Sequence, residues 1–169
     1  MKTKIFCDIA ELDKIRIFNK KKKIVKGFTT NPSLMRKAGA KSYKSYSLEI
    51  LETTKKPVSC EVFADDEKKM ISQGKKISKW GKNVYVKVPV YNSKGKFMGK
   101  VIQKLNHNNI KLNITAVYSS NQTKKILKII NKKTKVIISI FAGRMADVGK
   151  DPIPEVKASI ALAKKFKNV

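Results

Sequence analysis

Two periodicities alternate along the chain. Short, nearly continuous apolar or β-branched runs recur at residues 4–9, 24–29, 58–63, 84–88, 112–115 and 136–141, and the longer segments between them repeat apolar residues at helical spacing. Runs of that kind predict strands covered on both faces, and their alternation with helices predicts βα units around a parallel sheet. Asp65 or Asp66 is placed to cap a helix with Met70, Gly74 and Ile77 on one stripe, ending near Gly81. Ser120 is placed to cap another, with Ile126, Ile129 and Ile130 inward. Pro154 and Glu155 suit the first turn of a last helix whose stripe is Val156, Ile160 and Ala163.

Six such units fill the 169 residues, and no linker divides them, so one domain over 1–169 is expected. A closed (β/α)8 barrel needs eight units. The count leaves two architectures, an open doubly wound sheet of six strands or a TIM barrel lineage lacking its last two units at the C-terminus. No G-x-G-x-x-G follows the first strand, which argues against a dinucleotide fold.

Composition narrows the partners only a little. Apolar residues make up 41% of the chain, enough for a packed core, and no apolar run is long enough to span a membrane. The segment Met1 to Ala10 lacks the features of a secretory signal, so the expected compartment is the cytoplasm. Cys7 and Cys60 both lie in apolar runs and read as reduced core residues. Thirty-nine Lys and Arg against 12 Asp and Glu give a net charge of +27. That balance attracts polyanions. Arg is scarce, however, and apart from Lys20 to Lys23 the lysines are spread along every predicted helix, the pattern of solvated faces rather than of a specific nucleic-acid module.

Active groups of parallel α/β folds gather where strands end. Here the predicted strands end on Asp8, on Thr29-Thr30-Asn31, on Glu61, on Lys87, on Asn113 and Thr115, and on Ser139 with Arg144 beyond. Lys87 stands out, an amine inside the apolar run Val84-Tyr85-Val86-Lys87-Val88-Pro89. Desolvation disfavours an ammonium and would free an amine to attack a carbonyl. Pairing with Glu61 or snorkelling to solvent is the plainer alternative. Asp8 and Glu61 are acids placed to exchange protons near that amine, Asp8 being equally suited to capping a helix. Asn31, Asn113 and Thr115 suit the hydroxyls of a polyol, and Arg144, one of three arginines, suits a phosphate. His107 sits among asparagines and reads as surface, and no ligand cluster for a metal is present.

Four of these segments together resemble the transaldolase family. They are Gly27-Phe28-Thr29-Thr30-Asn31-Pro32-Ser33-Leu34, the Lys87 strand, Leu112-Asn113-Ile114-Thr115-Ala116-Val117-Tyr118-Ser119 and Ser139-Ile140-Phe141-Ala142-Gly143-Arg144, in the same order and at similar spacing, within a match running from Asp8 to about Lys150. The resemblance implies a TIM barrel that forms a Schiff base, with no metal or cofactor, and that acts on sugar phosphates in the non-oxidative pentose phosphate pathway. It implies Lys87 as the imine-forming amine, Glu61 and Thr115 as the groups that position the shuttling water, and Asp8 as the base at the C4 hydroxyl. Thr29, Asn31, Asn113 and Phe141 would line the substrate, and Ser139 and Arg144 would bind its phosphate end. Related fructose-6-phosphate aldolases carry Tyr where this chain has Phe141 and Gln where it has Glu61, so transfer of a dihydroxyacetone unit is favoured over its release. The family continues through two more βα units. A truncated or inactive form, or a basic polyanion-binding protein retaining barrel elements, therefore remains an alternative, and homo-oligomerisation stays open.

Overall fold

A computed structural model describes residues 4–169. Six strands form one sheet: β1 (Ile5–Asp8), β2 (Val25–Thr29), β3 (Val58–Glu61), β4 (Val84–Pro89), β5 (Leu112–Val117) and β6 (Val136–Ile140). Every adjacent pair is parallel, and the order is β1-β2-β3-β4-β5-β6. A doubly wound sheet reverses its strand order at a switch point. This one never does. Each new strand adds beside the last on a sheet that curls, which decides between the two expected architectures in favour of the barrel lineage, here a six-strand half-barrel.

Among the described residues six helices make the return connections, α1 (Leu12–Lys20), α2 (Pro32–Lys37), α3 (Tyr43–Thr53), α4 (Glu67–Ile77), α5 (Gly99–His107) and α6 (Ser120–Leu127), and two more, α7 (Ala142–Asp147) and α8 (Ile153–Ala163), follow β6. The connection from β2 to β3 holds two of them. Asn31 accepts the Leu34 N–H and Pro32 opens α2, while Ser42 accepts the Ser45 N–H to start α3. The main core lies between the strands and these helices. Val58, Cys60, Val86, Val88, Leu112 and Ile114 are fully buried, as are Ile15, Ile50, Ile102, Leu105 and Ile126 on the helices. Close approach there needs small residues: a Cβ on Gly74 of α4 would stand 2.7 Å from Leu105 of α5. On the inner side, a Cβ on Gly27 would stand 2.2 Å from the Phe6 ring, so that ring lies over β2 and fills the base of the concave face.

Several expected helix details shift. Asp66 rather than Asp65 caps α4, with Met70, Gly74 and Ile77 buried as expected. Ser119 rather than Ser120 caps α6, and Asp65 instead ties down the loop after β4 by accepting from the Ser93 N–H and hydroxyl. In α8 the expected stripe is wrong: Ile160 is half exposed, and the buried contact is Ser159, whose hydroxyl lies 2.9 Å from that of Thr123 on α6. A small polar residue sits at the contact because α8 crosses α6 closely, leaving the isoleucines outside. Glu155 accepts the Ser120 N–H and so caps α6 rather than serving only its own helix.

Candidate active site

Parallel pairing puts partner residues on the same face of the sheet, and side chains alternate along each strand. Asp8 pairs with Thr29, and Thr29 with Ser59; Glu61 pairs with Lys87, and Lys87 with Asn113. Ser139 lies two residues beyond Ile137, the partner of Asn113. Register alone thus places Asp8, Thr29, Ser59, Glu61, Lys87, Asn113 and Ser139 on one face, near the carboxyl ends of six successive strands. Hydrogen bonds join the row. Thr29 Oγ1 donates to Asp8 Oδ1 at 2.6 Å, Asn113 Nδ2 to Ser59 Oγ at 3.0 Å, and Ser139 Oγ to Asn113 Oδ1 at 2.7 Å.

Lys87 stands in the middle, 8% exposed. Its Nζ lies 3.4 Å from Glu61 Oε2 and 3.4 Å from the carbonyl oxygen of Thr30. The side chain is thus buried and paired with Glu61 at once. Val84, Val86 and Val88 carry the other face of the strand into the helices, which fixes the direction in which the lysine points. Burial raises the pKa of Glu61; the Lys87 charge beside it opposes that shift, and the charge of Asp8 adds to it. A carboxyl so placed can hold or release a proton next to the amine.

Thr115 follows Asn113 on the same face and is buried, yet its hydroxyl has no hydrogen-bond partner among the described residues. An unpaired buried hydroxyl typically costs about 1–3 kcal/mol, so this one would gain from a water or a polar group of a bound molecule. The backbone confirms special geometry there: Ala116 has φ 57°, and the β5–β6 register breaks between Ile114 and Val117. Such a bulge re-aims the side chains around it.

Asn31, which follows β2, uses its carbonyl oxygen on the Leu34 N–H at 2.9 Å, leaving its amide N–H groups without a hydrogen-bond partner among the described residues. Phe141 precedes α7, with its ring edge-on to Tyr118 at 5.8 Å, and brings no hydroxyl. Arg144 is the outlier. Its side chain is 73% exposed and pairs with Asp147 at 3.4 Å, with no bond to the strand-end row. Cys60 is buried on the helix side, which pushes its thiol up to about 12 and makes it packing rather than a nucleophile. His107 is exposed at the end of α5.

Two supporting residues, Ser59 and Tyr43, were not expected, and a third, Thr30, was expected only as part of the β2 end. Ser59 was readable, being two residues before Glu61 on the same face. Thr30 is fully buried and ties β2 to β3 by donating to the Ser59 carbonyl at 2.8 Å. Tyr43 carried no local signal at all. It comes from the first turn of α3, packs against Phe63 and Trp80, and accepts the backbone N–H of Glu61 at 2.6 Å. Burial raises the pKa of its phenol, which keeps it a neutral partner beside the carboxyl. Tyr43→Phe strands that N–H and is expected to cost about 1–3 kcal/mol in urea unfolding; a loss below about 0.5 kcal/mol would show that Tyr43 does not hold the β3 end.

A curled parallel sheet with a buried strand lysine and paired carboxyl at its carboxyl end defines a protein of the (β/α) barrel lineage. A solved 4-hydroxy-tetrahydrodipicolinate synthase from Methylacidiphilum fumariolicum SolV superposes on 99% of this chain and 80% of its own, with a TM-score of 0.52 and 10% identity, which speaks for the fold alone. Sequence goes further, because the chain belongs to the transaldolase/fructose-6-phosphate aldolase family, whose model matches residues 5–169. A protein named probable transaldolase from Methanococcus maripaludis (strain C6) is 37% identical over 148 residues, covering 88% of this chain and 64% of its own length. Another so named from Herpetosiphon aurantiacus is 32% identical over 163 residues, covering 96% of this chain and 69% of its own. The chain thus spans about two-thirds of the length of these relatives.

Proposed function

We propose that the protein is a transaldolase that moves a dihydroxyacetone unit from a ketose phosphate, fructose 6-phosphate or sedoheptulose 7-phosphate, to an aldose phosphate. The observation that carries this reading is the Lys87 amine, 8% exposed and 3.4 Å from Glu61, in a chain of this family. A proton passed from Lys87 to Glu61 leaves a neutral nitrogen, which attacks the ketone carbon of the donor. The carbinolamine loses its hydroxyl as water, with Glu61 supplying the proton and the free Thr115 hydroxyl holding the water, and a protonated imine forms. That imine accepts the electrons of the C3–C4 bond as Asp8 takes the proton of the C4 hydroxyl, so an aldose phosphate leaves and an enamine stays on Lys87. Addition of the enamine to the acceptor aldehyde returns the proton from Asp8, and water then releases the new ketose phosphate.

Thr29 fixes the Asp8 carboxylate for this role, and Asn113, held at both ends by Ser59 and Ser139, offers its remaining N–H to a substrate hydroxyl. Asn31 offers its amide from the β2 end, and Arg144 would reach the phosphate only by leaving Asp147. The single barrel domain, the cytoplasmic location and the place in the non-oxidative pentose phosphate pathway belong to the same proposal. No helix among the described residues is long and apolar enough to cross a membrane.

Release of free dihydroxyacetone, as by an aldolase, is the second reading. Phe141 speaks against it, since it puts no hydroxyl at the β6 end to protonate the enamine. Fructose 6-phosphate supplied without an acceptor should give little dihydroxyacetone, and adding an aldose phosphate should start formation of a new ketose phosphate; steady dihydroxyacetone release without acceptor would favour the aldolase.

A further inference from the structure

The amino ends of the strands carry the opposite chemistry from the carboxyl ends. The connections leading into β3, β4, β5 and β6 place Lys55, Lys82, Lys111 and Lys135 around one cavity of about 880 Å3, with Lys133 beside them. Glu52 is the one acid in its lining, and none of the five lysines pairs with a carboxylate among the described residues. Lys111 is the most enclosed of them. Its Nζ donates to the Lys82 carbonyl and sits 5.4 Å over the Tyr85 ring, and burial together with repulsion from Lys135 lowers its pKa. Like charges are therefore gathered in a concave wall where Glu52 is the single acid and no ion pair neutralises them among the described residues. An anion bound there would relieve that repulsion. The longest basic run of the sequence, Lys20 to Lys23, is exposed at the end of α1 and lines no comparable cavity among the described residues.

We propose that this groove is a binding site for a compact oligophosphate, the triphosphate group carried by a nucleoside triphosphate or by inorganic tripolyphosphate. Five lysines around one cavity match a chain of several phosphate charges better than the monophosphate of a sugar substrate. A cavity of this size lies in the usual range for small-molecule sites, about 300–1,000 Å3, whereas a nucleic-acid duplex would touch only its rim. Lysines on separate connections act as movable point charges around such a chain. The site is at the opposite end of the strands from Lys87, so it is independent of the amine chemistry.

Trp80, the single tryptophan, lines the groove and reports on it. Tripolyphosphate and ATP, titrated separately into the purified protein at low salt, should each change Trp80 emission saturably and raise the thermal midpoint. The triple variant Lys82→Gln, Lys133→Gln, Lys135→Gln should weaken binding by about tenfold or more. The same positions changed to Arg should keep it, and Lys20→Gln, Lys21→Gln, Lys22→Gln, which removes equal charge elsewhere, should leave it within about twofold of the parent. Equal affinity for the two probes assigns the site to the phosphate chain, and tighter ATP binding adds a base against the Trp80 and Tyr85 wall; either supports the proposal. Equal weakening by the two Gln triples, or no saturable change with either probe, overturns it in favour of diffuse attraction by the net charge.

Discussion

Lys87→Met is expected to reduce ketose phosphate turnover by a factor on the order of 10⁴ or more while leaving the chain folded, because in the proposed mechanism every covalent step passes through the nitrogen it removes. Methionine keeps the length and apolar stem of the lysine, and Val84, Val86 and Val88 continue to anchor the strand. The Glu61 carboxyl loses the charge that opposed its raised pKa, so it becomes still more ready to stay protonated, and the variant avoids leaving a bare buried carboxylate. Circular dichroism and a coupled assay of product formation check both halves. Retained turnover in a folded variant would remove Lys87 from the mechanism.

Glu61→Gln is expected to lower turnover about 10²–10⁴-fold, the usual worth of a positioned proton carrier. Its pH signature is more specific. Burial makes the folded protein bind the Glu61 proton more tightly than the unfolded chain does. The stability this gives is complete below the unfolded glutamate pKa of about 4.3 and is lost as pH rises through the higher folded value. Gln cannot lose it. The difference in unfolding free energy, variant minus parent, should therefore rise across that window in a series of urea titrations, and the acid limb of the parent's activity should lie above the ordinary carboxylate range and vanish from the variant's residual activity. A flat stability difference would mean that Glu61 has no raised pKa in the folded protein.

The strands were legible because both faces of a parallel sheet are covered and their apolar runs need no partner to be recognised. Their carboxyl ends were legible for the related reason that Asp8, Glu61 and Lys87 are anomalies inside such runs. Their assembly into one row follows from register, which the period of two preserves from strand to strand. What the sequence hid was set by tertiary packing. Tyr43 reaches Glu61 only because α3 folds over the end of β3, and no spacing along the chain announces that. The α8 stripe failed because a close crossing with α6 selects Ser159 over Ile160, a demand made by the neighbouring helix and not by amphipathicity. Arg144 was read from its residue type, and its pairing with Asp147 one turn away depends on a side-chain direction that type does not fix.

The most direct test of the account is to add borohydride to the folded protein with fructose 6-phosphate and to map the modified peptide by mass spectrometry. A reduced three-carbon adduct on Lys87 alone, among all the lysines of this basic chain, is the predicted result. An unmodified Lys87 peptide, or adducts scattered over surface lysines, would contradict it.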